Sequence, residues 1–93
     1  MREIFYSSRF KRDYKRVKAG RHGKSIDNLL QGAVDLLADD KPLPPANCDH
    51  AMTGEWNDCR DCHLKPDLIL VYSKARDGIL DLLRLGSHSE LGI

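Results

Sequence analysis

Apolar residues first recur at helical spacing and later gather into short extended runs. Ile4-Phe5-Tyr6 is a brief β-prone stretch, and Ser7-Ser8 after it supplies a helix N-cap. Phe10, Tyr14 and Val17 then fall four and three residues apart, a narrow apolar stripe on a helix that Gly20 ends. Ser25 is placed to cap a second helix. Ile26, Leu29, Leu30, Ala33, Val34, Leu36 and Leu37 give that helix a wider apolar face. It stops at Asp39-Asp40, because Pro42, Pro44 and Pro45 cannot continue it and set a stiff, extended link. Two helices joined by so short a connection predict an antiparallel pair.

Beyond the prolines the period changes. Leu68-Ile69-Leu70-Val71-Tyr72 is a continuous apolar run, too short for an ordinary helix and rich in strand formers, which predicts a central strand. Leu64-Lys65-Pro66-Asp67 before it carries a tight-turn signal, so residues 49–72 predict a β-hairpin whose first strand begins near Gly54-Glu55-Trp56. Alternation in that strand puts Cys59, Asp61 and His63 on one face and Trp56, Asp58, Arg60, Cys62 and Leu64 on the other. Neither face is cleanly apolar, so the period does not decide which is buried. Asp77-Gly78 marks a second turn, and hairpin context assigns Ile79 to Leu85 as a third strand with His88 just past its end.

Ninety-three residues predict a single domain, 1–93, able to bury a modest core and to carry a groove on its surface. No run of about 18 apolar residues could cross a bilayer, and no apolar stretch follows the N-terminal charges as a secretory signal would. A cytoplasmic protein is expected, with Cys48, Cys59 and Cys62 as free thiols. The net charge of +1 conceals an asymmetry: residues 1–24 hold nine Lys/Arg against two acids, and the remainder is acidic. So dense a basic arm attracts polyphosphate through counterion release, although a solvated helix face has the same composition.

Several chemistries compete for the polar residues. Cys59-Arg60-Asp61-Cys62-His63 has the Cys-x-x-Cys-His form of covalent haem attachment, which belongs with exported chains. Cys48, Cys59 and Cys62 with His50 or His63 have the ligand types of a tetrahedral zinc site. Such a site needs a knuckle turn where the pattern predicts a strand. His50, His63, Asp67 and His88 instead form an acid/base set at strand ends, and imidazole transfers protons in both directions near neutral pH. No nucleophile setting or phosphate loop accompanies them. RNA cleavage suits such a set, since RNA carries its own nucleophile in the 2′-hydroxyl. His22 lies in a Gly-containing link and reads as a solvated loop histidine.

The ordered set Leu43-Pro44-Pro45, Asp49-His50, Gly54-x-Trp56, Arg60-Asp61-x-His63, Pro66-Asp67-x-Ile69-Leu70-x-Tyr72 and Arg84-x-Gly86-Ser87-His88-x-x-Leu91 resembles the YafQ branch of the RelE toxin superfamily. The resemblance implies an α+β fold, a small antiparallel sheet with two N-terminal helices packed on one face. It implies a ribosome-dependent mRNA endonuclease of a type II toxin–antitoxin pair, cutting mRNA in the ribosomal A site, needing no cofactor and silenced by a DinJ- or RelB-like antitoxin. The catalytic residues it implies are His50, His63, Asp67 and His88, with Arg84 and Arg60 binding substrate. The roles expected are His88 as general acid, Asp67 or His50 as base, His63 orienting or stabilising charge, and Arg84 holding the phosphate. Arg9, Lys11, Arg12, Lys15, Arg16 and Lys18 would face ribosomal RNA. Where a family member carries an aromatic after His-x-x-Leu, this chain has Gly92, which removes a base-stacking contact, so the resemblance does not carry codon preference over. The competing reading is a non-catalytic RNA-binding module, zinc-stabilised or metal-free.

Overall fold

The computed structural model describes residues 1–93. In chain order its elements are β1 (Glu3–Tyr6), α1 (Ser8–Ala19), α2 (Ile26–Ala38), β2 (His50–Ala51), β3 (Arg60–Lys65), β4 (Leu68–Ser73), β5 (Ile79–Gly86) and α3 (His88–Leu91). Single 3₁₀ turns occupy Pro45–Asn47 and Gly54–Trp56. The strands form one sheet in the order β1-β5-β4-β3-β2. β2 to β5 pair antiparallel, while β1 runs parallel to β5. This parallel pair follows from connectivity: α1 and α2 leave β1 directly, so β1 joins the free edge of β5 and makes no hairpin.

β4 lies at the middle of the sheet because both of its faces are apolar. Leu68, Leu70 and Tyr72 point into the main core with Phe10 and Val17 of α1 and Val34 and Leu37 of α2. Both helices therefore cover the same face, as the family resemblance implied. Ile69 and Val71 point the other way, into a smaller cluster with Leu91, Met52 and Trp56. This second cluster is roofed by α3 and the 50s loop, and His50, His63 and His88 gather beside it. No helix is long and apolar enough to cross a membrane.

Local signals account for most of the element ends. The Ser7 hydroxyl accepts the Phe10 N–H at 3.0 Å and caps α1. Ser25 does not cap α2: its backbone is helical and its hydroxyl turns back to the His22 carbonyl at 3.4 Å. The link is tight at Gly23, where a Cβ would come within 2.1 Å of the Lys18 carbonyl oxygen, so only glycine passes there.

The predicted first hairpin strand begins later than the pattern suggested. Gly54–Trp56 coils into a 3₁₀ turn and pairing starts at Arg60. Trp56 therefore falls with Cys59 against the second cluster, opposite Cys62 and Leu64 in the main core. Alternation holds only from Arg60 onward. A register shift in the β4–β5 pair moves the partner of Val71 to Arg84 while Tyr72 faces Leu82. Leu82 and Leu85 both reach the helix-side core, and Leu83 and Arg84 lie between them.

Candidate active site

His50 lies on β2, a two-residue strand whose partner across the ladder is Asp61 of β3. Two residues further along β3, on the same face, comes His63. The Pro66-Asp67 turn then reverses the chain, and β4 carries it back through the centre of the sheet. Ile69 pairs with Gly86, so the end of β5 arrives beside that turn. Ser87 caps α3 in a capping box with Glu90 and sets His88 as its first residue.

The result is a trough of about 630 Å³ lined by His50, Asp61, His63 and His88, with Met52 and Trp56 as its apolar wall. Asp67 Oδ1 accepts both from the His88 backbone N–H, at 3.1 Å, and lies 3.0 Å from its Nδ1. These bonds to His88 hold the Asp67 carboxyl below its ordinary range. The carboxylate fixes the ring and leaves Nε2 as the nitrogen available for proton transfer. A carboxylate so engaged suits orientation better than proton abstraction. The His63 ring stands edge-on to His88, centroids 5.4 Å apart, and makes no hydrogen bond of its own within the chain.

His50 is the more exposed partner of a second pair. Its Nε2 lies 2.9 Å from Oδ1 of Asp61, whose side chain is only 8 % exposed. The contact is close enough for an ion pair but is not aligned as a hydrogen bond, and Oδ1 is buried without a hydrogen-bond partner. A buried carboxylate oxygen left in that state leaves an acceptor turned toward the His50 ring. Asp61 was missed as a site residue. Its signal was the two-residue spacing from His63, which places both on one strand face. Gly92, where an aromatic was expected, closes α3 at φ 72°, and Ile93 joins the wall of the trough.

Not every predicted residue joins this group. Arg60, expected to bind substrate, faces the other side of β3, where it bonds Asp49 at 3.2 Å and contacts Tyr72. Tyr72 donates to the same Asp49, and burial pushes its hydroxyl well above its usual range. Arg84 lines a separate groove with Arg9, Arg12, Asp13 and Arg16. The expected ribosome-facing row is also divided. Arg9 and Arg12 line that arginine groove, whereas Lys11 and Lys15 flank Tyr6, Phe10 and Tyr14. Arg16 is tied to Asp13 and Glu90, and Lys18 to Asp27. His22 is half-buried and lines a groove that runs to Asp67.

The cysteines lie apart. Cys48 is exposed, Cys59 packs against the second cluster, and Cys62 is buried in the main core, where burial pushes its thiol up to about 12. No three His, Cys, Asp or Glu side chains are close enough to share an ion. The zinc reading fails on this point, because successive β3 residues send their side chains to opposite faces of the sheet.

Comparison with known proteins gives the same direction. The family model described as a bacterial toxin of type II toxin–antitoxin systems, YafQ, matches residues 2–92. The mRNA interferase toxin YafQ of Escherichia coli strain K12 is 37% identical over 90 residues, 97% of this chain and 95% of that one. The toxin in the crystal structure of the E. coli DinJ–YafQ complex superposes with a TM-score of 0.83 at 35% identity, covering 98% of both chains. A metal-bound toxin from Helicobacter pylori superposes with a TM-score of 0.83 at 42% identity, over 98% of this chain and 99% of that one. Sequence and fold agree over nearly the whole length, and the chain belongs to the YafQ family of bacterial type II toxin–antitoxin toxins.

Proposed function

We propose that this protein is an mRNA interferase, an endoribonuclease that cuts mRNA in the A site of translating ribosomes in the cytoplasm until a DinJ-like antitoxin neutralises it. The observation that carries the reading is the convergence of His50, His63 and His88 on one trough, with Asp67 bonded to His88. Family membership and the DinJ–YafQ complex of a relative support the antitoxin partner.

In this mechanism a base removes the proton of a 2′-hydroxyl, and the freed oxygen attacks the adjacent phosphorus. The bond from phosphorus to the 5′-oxygen breaks, and an acid protonates that leaving oxygen. The products are a 2′,3′-cyclic phosphate and a 5′-hydroxyl. His88 Nε2, oriented from behind by Asp67, is the acid. His63, whose ring is free of hydrogen bonds, is the base. His50, paired with Asp61, offsets charge on the phosphoryl oxygens.

Primer extension on mRNA in programmed ribosomes tests the reading. The wild-type protein should cut within the A-site codon, and His88→Ala should lower the rate by about two decades or more. Intact message in the presence of wild-type protein would end the proposal.

A further inference from the structure

Three motif residues take no part in the histidine trough. Asp49, Arg60 and Tyr72 meet on the opposite side of the sheet, behind His50. The strand registers bring them together: Ala51 faces Arg60 across the β2–β3 ladder, and Arg60 faces Tyr72 across the β3–β4 ladder. Asp49 Oδ1 accepts the Tyr72 hydroxyl and, at 3.2 Å, Arg60 Nε. Tyr72 is buried in the helix-side core, so its hydroxyl is a donor fixed in place. Asp49 and His50 are consecutive, and alternation sends one side chain to Tyr72 and the other to Asp61. The strand that carries His50 is otherwise slightly held. β2 is a two-residue strand at the edge of the sheet, and a bond of 3.0 Å from the Met52 N–H to the Cys59 carbonyl extends its pairing. On the other side of Asp49, Asn47 Nδ2 donates to the His63 carbonyl at 2.8 Å. Cys48, between these two anchors, takes φ 48° and ψ 46°, a left-handed conformation that a residue with a Cβ keeps where its neighbours impose it.

We propose that Asp49, bonded to Tyr72 and Arg60, is a positioning residue that latches β2 to the sheet and so sets His50 at the rim of the trough. The His50 ring is exposed, and its polar contacts are Asp61 and, from Nδ1, the Ala51 carbonyl at 3.2 Å, so its place is set by the backbone that carries it. That place matters, because a misplacement of about 1 Å at a reacting centre can cost about 10²-fold in rate. Asp49 itself faces away from the trough and acts through its neighbour. Arg60, expected to hold substrate, instead offsets the cost of keeping a carboxylate against the core. The latch deepens the reading above and rests on it for the role of His50, but one arm of its test needs no cleavage.

The test joins amide hydrogen exchange to a double-mutant cycle, both on the whole protein. Exchange at the Met52 amide should quicken in Asp49→Ala and in Tyr72→Phe, while amides of the β4–β5 ladder keep their wild-type rates. In single-turnover cleavage on programmed ribosomes, Asp49→Ala should lower the rate constant by about one to two decades and leave the half-saturating concentration unchanged. Asp49→Asn, whose amide oxygen still accepts the Tyr72 hydroxyl, should recover part of that loss. Added to His50→Ala, Asp49→Ala should cost nothing further, since its effect runs through His50. Unchanged Met52 exchange in both variants would overturn the proposal. So would equal losses with and without His50, which a general structural role would produce. If Asp49→Ala does not fold, Tyr72→Phe decides both arms. Message left intact by the wild type would sink the enzyme reading, and the exchange measurement would still decide the latch.

Discussion

A histidine's chemistry here depends on what stands behind it. His88 has Asp67 at Nδ1 and His50 has Asp61 at Nε2, so two of the three imidazoles are backed by carboxylates and the third is not. Since His88 is the main cause of the lowered Asp67 pKa, His88→Ala should let that carboxyl rise toward about 3.9, its unperturbed value. Carbon-detected NMR titration of both proteins would show this, and identical Asp67 curves would contradict the pairing. The thiols behave by burial. Cys48 should react with an aromatic disulfide in the native protein, and Cys62, with its thiol near 12, only on unfolding. At this scale the sequence disclosed residue types and motif positions, which sufficed to single out His50, His63, Asp67 and His88 as a set that the fold brings to one end of the sheet. The two-residue spacing from His63 put Asp61 on the same strand face, but its pairing with His50 was not legible, because β2 is too short to show any period.

The elements were legible wherever one physical cause dominated. The prolines kept the chain after α2 extended while a left-handed Asp40 closed the helix, the all-apolar run made β4 central, and the Pro66-Asp67 signal gave its hairpin. The reading failed where local turns interrupted the pattern. The 3₁₀ turn at Gly54–Trp56 moved Trp56 across the sheet, and the register shift at Val71/Tyr72 redirected Arg84. Arg84 instead ties β5 to α1 through Asp13. Burial raises the Asp13 pKa, but bonds from Arg84, the Leu85 N–H and Arg16 outweigh it, so the carboxyl stays below its ordinary value when folded. A folded pKa below the unfolded one adds stability that is full above about pH 3.9 and fades as pH falls through the folded value. Asp13→Asn should therefore cost about 3 kcal/mol at neutral pH, the scale of a broken buried ion pair. The gap from wild type should narrow below about pH 4. Urea unfolding at both pH values checks this, and a gap that widens in acid would refute it.

At the scale of the molecule the parts divide one task. A sheet with helices on one face leaves the other face to a small apolar cluster and the trough, and α1 carries the surplus positive charge alongside. Overall charge disclosed the basic arm, but composition cannot separate exposed cations from internal clamps. Arg16 and Lys18 are clamps, while Arg9 and Arg12 remain open. In the proposed reaction the trough directs the 2′-oxygen of the message against its own phosphate. The most direct test is a ribosome programmed with mRNA carrying one 2′-deoxynucleotide at the scissile position, compared with the all-ribose message in a single turnover. The ribose message should be cleaved to a 2′,3′-cyclic phosphate and a 5′-hydroxyl, with no cut at the deoxy position. Equal cleavage of both messages would contradict that reaction, because the nucleophile would then be something other than the RNA itself.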